Sequence, residues 1–214
     1  MSAQYCRIRK KVYEKFSHNA EDLKRFNHME EVVKMALYLK DRYGEDKFDI
    51  DYEKIKIAGI LHDYTKNMSF EEAVEYLTKY LNNDGLEEAK KAPSVIHSIT
   101  AYYLVQEELG IADEEILKAI LHHTTGSPNM SPLEELIFVS DAVELTRTYE
   151  GVEEIRKRVY EDFYKGMLYM IEQTLKHLKE KGWYINPKTI ETYEYYKNMI
   201  ENKNKKQGEN NGIY

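Results

Sequence analysis

Cysteine, proline and glycine are scarce in this sequence, and each shortage excludes a class of protein. A single cysteine, Cys6, among 214 residues excludes an internal disulfide and fits a reducing compartment. Four prolines and ten glycines leave few positions that interrupt a helix, which favours long helices with short connections. We therefore expect a helical protein that does not depend on a disulfide framework.

Long hydrophobic runs and an excess of positive charge are also missing. No segment approaches the roughly 20 apolar residues that a transmembrane helix needs, and Met1–Tyr5 shows no apolar signal-peptide segment. The formal net charge of −7 argues against broad electrostatic binding to a nucleic-acid polymer. We expect a cytoplasmic protein with neither a membrane nor a nucleic-acid polymer as partner, and a homodimer formed through a helical face.

Apolar residues recur at three- and four-residue steps along most of the chain, which predicts an all-α protein of about nine helices. The predicted helices cover residues 3–20, 27–43, 51–61, 70–81, 93–109, 114–122, 132–142, 152–178 and 187–200. Asn82-Asn83-Asp84-Gly85 predicts a turn. No composition break divides the chain, so we predict one domain over residues 1–201 and a disordered polar tail over 202–214.

The distribution of metal-capable side chains over separate helices is the main functional signal. These side chains come from five predicted helices: His28, His62-Asp63, His97, His122-His123 and Asp141. Any one histidine on an apolar helix is more often a hydrogen-bonded core residue than a ligand, but the joint pattern indicates a metal centre inside a helical bundle. Imidazole and carboxylate together suit Fe, Mn, Co or Zn, and the lack of thiolates argues against a structural zinc site.

The spacing of these side chains favours two ions over one. Neighbouring helical residues point about 100° apart, so His62 and Asp63 cannot easily bind one ion side by side. A carboxylate can instead bridge two ions while the adjacent histidine binds one of them. Six nitrogen and oxygen ligands also exceed what one open catalytic ion uses. His122 and His123 diverge in the same way, so only one of them is expected to ligate, and the residues alone leave that choice open.

Five segments carry a further signal: Arg25–His28, Ala58–Lys66, Ile96–Ala101, Ala119–Met130 and Ser140–Arg147. Together they resemble the YqeK family of symmetrical bis(5'-nucleosyl)-tetraphosphatases, which are HD-domain metal-dependent phosphohydrolases. A His-Asp dipeptide alone is shared by many hydrolases. The His-Thr-Thr-Gly loop at 123–126 and the Asp-x-x-Glu-x-x-Arg run at 141–147 are much more specific.

The resemblance implies a single HD-domain helical bundle with a binuclear metal site between helices, and iron as the metal. It implies that a metal-activated hydroxide hydrolyses diadenosine tetraphosphate symmetrically to two ADP. It also selects His123 over His122, because in this family the ligand directly precedes Thr-x-Gly. With that choice the expected metal ligands are His28, His62, Asp63, His97, His123 and Asp141.

Residues close to the ligands in the chain supply candidates for catalysis and substrate binding. Asp63, as the bridging ligand, and Lys66, one helical turn after His62, are the expected catalytic residues. The ammonium group of Lys66 could hold a non-bridging oxygen or stabilise the leaving phosphate. Glu144 fits either an ion pair with Arg147 or a contact that orients a histidine. The expected substrate contacts are Arg25, Lys66, Thr124, Thr125, Gly126 and Arg147.

Three other functions are compatible with parts of this pattern. The first is another HD-domain phosphohydrolase that acts on a nucleotide monophosphate or a cyclic dinucleotide. The second is a di-iron oxygenase, over which Lys66 and the two arginines favour a phosphate substrate. The third is a non-enzymatic nucleotide-binding or scaffold protein, against which the complete ligand set argues.

Overall fold

The computed structural model describes residues 2–210, with side chains through residue 205, and all regular structure in this range is helical. The eleven helices are α1 Ala3–Phe16, α2 Ala20–Tyr43, α3 Tyr52–Leu61, α4 Phe70–Leu77, α5 Asn83–Lys90, α6 Ile96–Leu109, α7 Glu114–His122, α8 Pro132–Val143, α9 Val152–Glu161, α10 Phe163–Glu180 and α11 Pro187–Asn210. The all-α prediction is confirmed, with two helices more than the nine expected. No helix within residues 2–210 combines the length and apolar character needed to cross a membrane.

Polar caps determine where several helices begin. Asn19 accepts hydrogen bonds from two backbone N–H groups of the first turn, so α2 begins at Ala20, earlier than the predicted residue 27. Ser69 and Ser131 each form a capping box with a glutamate three residues later, and these helices begin where the sequence predicted. The early start of α2 places Arg25 and His28 on one continuous helix.

The sequence prediction was wrong in two regions. Asn82 was assigned to a turn, but its side chain accepts a hydrogen bond from Gly85 N and caps α5. This helix is held in place by Ala89, which is buried in a small cluster with Leu77 of α4 and Ile96 of α6. The helix predicted over 152–178 is broken at Asp162, whose extended backbone (φ −153°) ends α9 and caps α10.

The chain forms two compact units, which we describe separately. The first contains the residues up to Thr124 and Met130–Arg147, hence α1 to α8, and the second contains Thr125–Asn129 and the residues from Thr148 onward, hence α9 to α11. The single domain over residues 1–201 therefore stays a prediction. Residues 202–210 of the predicted tail continue α11, and residues 211–214 lie outside the described residues.

The core of the first unit lies where α2 packs against α3 and α8, and where α7 packs against α3, α6 and α8. Gly59 shows how close α2 and α3 are, because a Cβ added there would lie 2.8 Å from Val33 Cγ2 and 3.3 Å from Val33 Cα. A larger residue at this position would push the helices apart. This close approach brings His62, at the end of α3, beside His28 in α2, with 3.3 Å between their Nε2 atoms.

Candidate metal centre

Six metal-capable side chains from five helices or their ends converge inside the first unit. They are His28 in α2, His62 and Asp63 after α3, His97 at the start of α6, His123 after α7 and Asp141 in α8. All are buried except Asp141, which is partly buried. The structure thus brings together all the residues that the sequence analysis named as metal ligands.

One half of the cluster, which we call the His28 side, is built around one carboxylate oxygen of Asp63. Asp63 Oδ2 lies 3.7 Å from His28 Nε2 and 3.6 Å from His62 Nε2. Asp141 Oδ1 lies 3.0 Å from His28 Nε2 and 3.7 Å from His62 Nε2. Two imidazole nitrogens and two carboxylate oxygens therefore surround a single position.

The other half, which we call the His97 side, uses the second oxygen of the same carboxylate. Asp63 Oδ1 lies 3.1 Å from His97 Nε2 and 3.6 Å from His123 Nε2, and the two Nε2 atoms are 3.0 Å apart. The central His62 also offers an Nε2 or Nδ1 atom within 4.8 Å of ligand atoms of Asp63 and His123. The two oxygens of Asp63 thus face two different pairs of histidines.

The Nδ1 atoms of three histidines are fixed by hydrogen bonds, which leaves Nε2 to face the cluster. Nδ1 of His62 lies 2.8 Å from the Gly59 carbonyl oxygen, and Nδ1 of His123 lies 2.7 Å from that of Ile120. Nδ1 of His28 lies 3.1 Å from a carboxylate oxygen of Glu144. Metal-binding histidines commonly donate their other N–H in this way, because the bond fixes the tautomer and the ring orientation.

The protonation states also suit metal binding. Burial lowers the pKa of His62 to about 3 and that of His97 to about 4, so both rings are neutral near pH 7 and keep a lone pair. Burial alone would raise the pKa values of Asp63 and Asp141, but the neighbouring imidazoles, joined at Asp141 by Arg147, outweigh it and hold both well below the usual range. Burial alone would lower the pKa of His28 too, but its hydrogen bonds to Asp141 and Glu144 outweigh it and raise the pKa, so a metal ion there would displace a proton. Neutral imidazoles and ionised carboxylates are the forms that bind a metal, and the residue types of this donor set fit divalent cations.

Three cationic side chains border the cluster. Lys66 Nζ lies 3.2 Å from His97 Nδ1, and burial lowers the pKa of its ammonium group. Arg25 Nη1 donates to Asp63 Oδ2 at 2.7 Å, and Arg147 Nη2 donates to Asp141 Oδ1 at 2.5 Å. All three residues are partly exposed. The edge of the centre therefore carries groups that suit an anionic ligand such as phosphate.

Comparison with known proteins agrees with this geometry. Residues 25–146, which contain all six cluster residues, match the model of the HD domain family. The symmetrical bis(5'-nucleosyl)-tetraphosphatase of Bacillus subtilis is 34% identical over 80% of this chain and 88% of its own length. The protein of the same description from Staphylococcus aureus is 34% identical over 81% of this chain and 87% of its own. The chain belongs to the YqeK family of HD-domain hydrolases.

A solved structure from Clostridium acetobutylicum, described as a predicted HD superfamily hydrolase involved in NAD metabolism, has the same fold. It is 32% identical, with a TM-score of 0.79, and the match covers 91% of this chain and 97% of that one. The agreement in fold extends over almost the full length of both chains. It is therefore not confined to the part of the chain that carries the metal-capable residues.

His122, which the YqeK resemblance set aside in favour of His123, has a different partner. Its Nδ1 lies 2.5 Å from Glu134 Oε1, while the other carboxylate oxygen of Glu134 accepts a hydrogen bond from Ser131 N in the capping box of α8. His122 therefore connects the end of α7 to the start of α8. Its role in the structure is to hold two helix ends together, and it does not face Asp63.

This pairing predicts a pH-dependent contribution to stability. We expect Glu134→Ala to lower the free energy of unfolding by about 1 kcal/mol near pH 7, because the bonds to His122 and Ser131 are lost. Burial alone would raise the pKa of Glu134, but those bonds outweigh it and lower the pKa from 4.5. A carboxyl group with a lowered pKa stabilises the fold fully above its unfolded value and loses that effect as the pH falls through the folded value. The free energy of unfolding is measured in urea near pH 7 and near pH 4. We expect the difference between variant and parent to be smaller at the lower pH, and a larger difference there would contradict the assignment.

The predicted substrate loop is divided between the two units. Thr124 belongs to the first unit and is partly exposed, whereas Thr125 and Gly126 are buried and belong to the second. The Thr125 hydroxyl donates to the Gly126 carbonyl oxygen at 2.9 Å, so it is used inside the loop. Gly126 has φ +66°, and a Cβ there would lie 2.6 Å from Thr192 Cγ2 of α11. The role of this loop in substrate binding stays a prediction.

Two threonines near the ligands were not predicted from the sequence. The Thr65 hydroxyl donates to the His97 carbonyl oxygen at 2.7 Å and lies 2.7 Å from the Thr100 hydroxyl. Both threonines are buried, and their bonds tie the turn after Asp63 to the first turn of α6. Only one feature of the sequence pointed to this contact, the polar residue Thr65 two positions after Asp63. Its partners, His97 and Thr100, could not be predicted because they are more than 30 residues away in the chain.

Proposed function

We propose that this chain hydrolyses diadenosine tetraphosphate symmetrically to two ADP, with a metal-activated hydroxide as nucleophile at a binuclear centre. The observation that carries the proposal is the division of the Asp63 carboxylate, with one oxygen facing His28 and His62 and the other facing His97 and His123. A carboxylate in that position can bridge two ions. The names of the relatives from Bacillus subtilis and Staphylococcus aureus support the substrate.

The ligands divide naturally between two positions. We assign His28, His62, Asp141 and Asp63 Oδ2 to the first ion, and His97, His123 and Asp63 Oδ1 to the second. Imidazole and carboxylate ligands suit iron, which we propose as the metal, and also Mn, Co or Zn. Bound there, a pair of divalent ions would lower the pKa of a coordinated water and polarise the phosphoryl group.

The three cations at the edge of the centre would bind the polyphosphate. The chain has a net charge of −7, so local positive charge must offset the repulsion that a tetraphosphate meets. Arg25 and Arg147 present planar guanidinium groups that can bind two phosphate oxygens at once. Lys66, beside His97, would hold a non-bridging oxygen or stabilise the oxygen that leaves as the central anhydride bond breaks. One water is consumed, and its oxygen remains on one of the two ADP molecules.

Product analysis tests this proposal directly. The full chain, loaded with Fe²⁺ without oxygen or with Mn²⁺, is incubated with diadenosine tetraphosphate in ¹⁸O-labelled water, and the nucleotides are separated and weighed. We expect ADP alone, half of it carrying one ¹⁸O atom, and no product after chelation until metal is restored. AMP together with ATP would show asymmetrical cleavage and contradict the proposal, as would no turnover by the metal-loaded protein.

A further inference from the structure

The two sides of the metal centre differ in the number of donor atoms that the protein supplies. The His28 side has two imidazole nitrogens and two carboxylate oxygens, because Asp141 adds a second carboxylate. The His97 side has the imidazole nitrogens of His97 and His123 and one oxygen of Asp63. His62 also lies within reach of Asp63 and His123, but we count it with the His28 side because its Nε2 is 3.3 Å from that of His28. Among the described residues no second carboxylate lies within 4.0 Å of a ring nitrogen of His97 or His123.

Groups behind the ligands increase this difference. Glu144 is fully buried, and its Oε1 lies 3.1 Å from His28 Nδ1. Thr146 holds the same carboxylate through its backbone N–H at 2.5 Å and its hydroxyl at 2.6 Å. A fixed anion behind an imidazole raises the basicity of the other ring nitrogen and strengthens metal binding. The corresponding partner of His123 is only a neutral backbone carbonyl.

The surrounding cations do not remove the difference. On the His28 side, Arg25 pairs with the shared Asp63, and Arg147, which also lies 3.3 Å from His28 Nε2, pairs with the two carboxylates of Asp141 and Glu144. On the His97 side, the ammonium group of Lys66 lies 3.2 Å from His97. Among the described residues no carboxylate oxygen lies within 4.0 Å of this group, and Asp63 and Asp141 act on it only from a greater distance. A cation bound at the His97 side therefore meets fewer donors and an ammonium group that no carboxylate contacts.

We infer that the two ions bind with unequal affinity: the His28 side holds the tighter ion, and the His97 side holds an exchangeable ion whose affinity is limited by Lys66. The inference rests on the binuclear centre of the proposed function. It assigns Glu144 as a positioning residue for the tighter ion. It also implies that activity follows the free metal concentration through occupancy of the His97 side.

Titration of the metal-stripped full chain with Mn²⁺, followed by electron paramagnetic resonance and by competition with a chelator, tests the inference. We expect two ions per chain with dissociation constants at least about tenfold apart. Glu144→Gln should weaken the tighter ion by roughly 10–100-fold and leave the weaker one unchanged. Lys66→Met, which removes the charge but keeps the length, should tighten the weaker ion by about tenfold. His97→Ala should abolish only the weaker ion.

Glu134→Gln is the matched control, because Glu134 also pairs with a histidine, His122, but outside the cluster. It should leave both constants unchanged. Equal constants in the parent chain, or an effect of Glu144→Gln on the weaker ion, would overturn the inferred order while leaving the binuclear centre standing. One ion per chain at saturation would instead refute the binuclear centre itself. If circular dichroism shows that Glu144→Gln does not fold, two other variants decide the question: Lys66→Met, at a partly exposed position, and His97→Ala.

Discussion

Asp63→Ala is expected to abolish hydrolysis, with a loss of turnover of at least about 10³-fold, and to remove most bound metal. Asp63 is 2% exposed, and its two oxygens lie within 3.1–3.7 Å of four histidine Nε2 atoms. Alanine removes a ligand from both proposed positions at once. Elemental analysis of the purified variant, together with its rate of ADP formation, measures both effects.

His122→Ala is the control for this result, because it removes a histidine that is adjacent to a ligand but paired with Glu134. We expect it to keep the metal content and turnover of the parent chain, with a small loss of stability. Equal losses of metal in the two variants would contradict the choice of His123 as the ligand. An Asp63→Ala protein that retains two ions would show that this carboxylate does not bridge them.

The members of the centre could be predicted from the sequence because each carries its chemistry in its residue type. The order of histidines on separate helices, with Asp63 directly after His62, predicted the set except for the choice between His122 and His123, which rested on the family resemblance. The division of these ligands between the His28 side and the His97 side could not be predicted. It depends on how closely α3 approaches α2 at Gly59, and on which atom forms a hydrogen bond with Nδ1 of each histidine. Glu144 shows this limit: it lies 3.8 Å from Arg147 Nε but 3.1 Å from His28 Nδ1, and both contacts were compatible with the sequence.

Periodicity predicted most helices but missed the break between α9 and α10. The apolar residues Ile155, Val159, Phe163 and Met167 continue at four-residue steps through the break, so the pattern gives no sign of it. The local signal is Asp162, whose side chain accepts a hydrogen bond from Lys165 N and caps α10. A capping residue competes with helix continuation, and tertiary packing decides between them.

Among the glycines of the second unit whose surroundings the structure describes, Gly166 is the one at which an added Cβ would meet backbone atoms. A Cβ at Gly166 would lie 2.3 Å from Val159 N and 2.4 Å from Val159 Cα, which are backbone atoms of α9 and cannot rotate away. Val159, Phe163 and Met167 around it are fully buried. α10 can therefore follow α9 at this distance only if residue 166 has no side chain.

Gly166→Ala is therefore expected to lower the free energy of unfolding by about 3 kcal/mol or more, although alanine gains about 1 kcal/mol in helix propensity. For a chain of this size, that corresponds to a decrease in Tm of about 6–12 °C. Gly182→Ala is the matched control: its φ is +65° and nothing lies within 4 Å of an added Cβ, so we expect a loss of only about 1 kcal/mol from backbone strain. Thermal unfolding of both variants distinguishes the effect of the Cβ clash at Gly166 from that of backbone strain at Gly182. A Gly166→Ala protein no less stable than Gly182→Ala would show that α9 and α10 do not approach so closely.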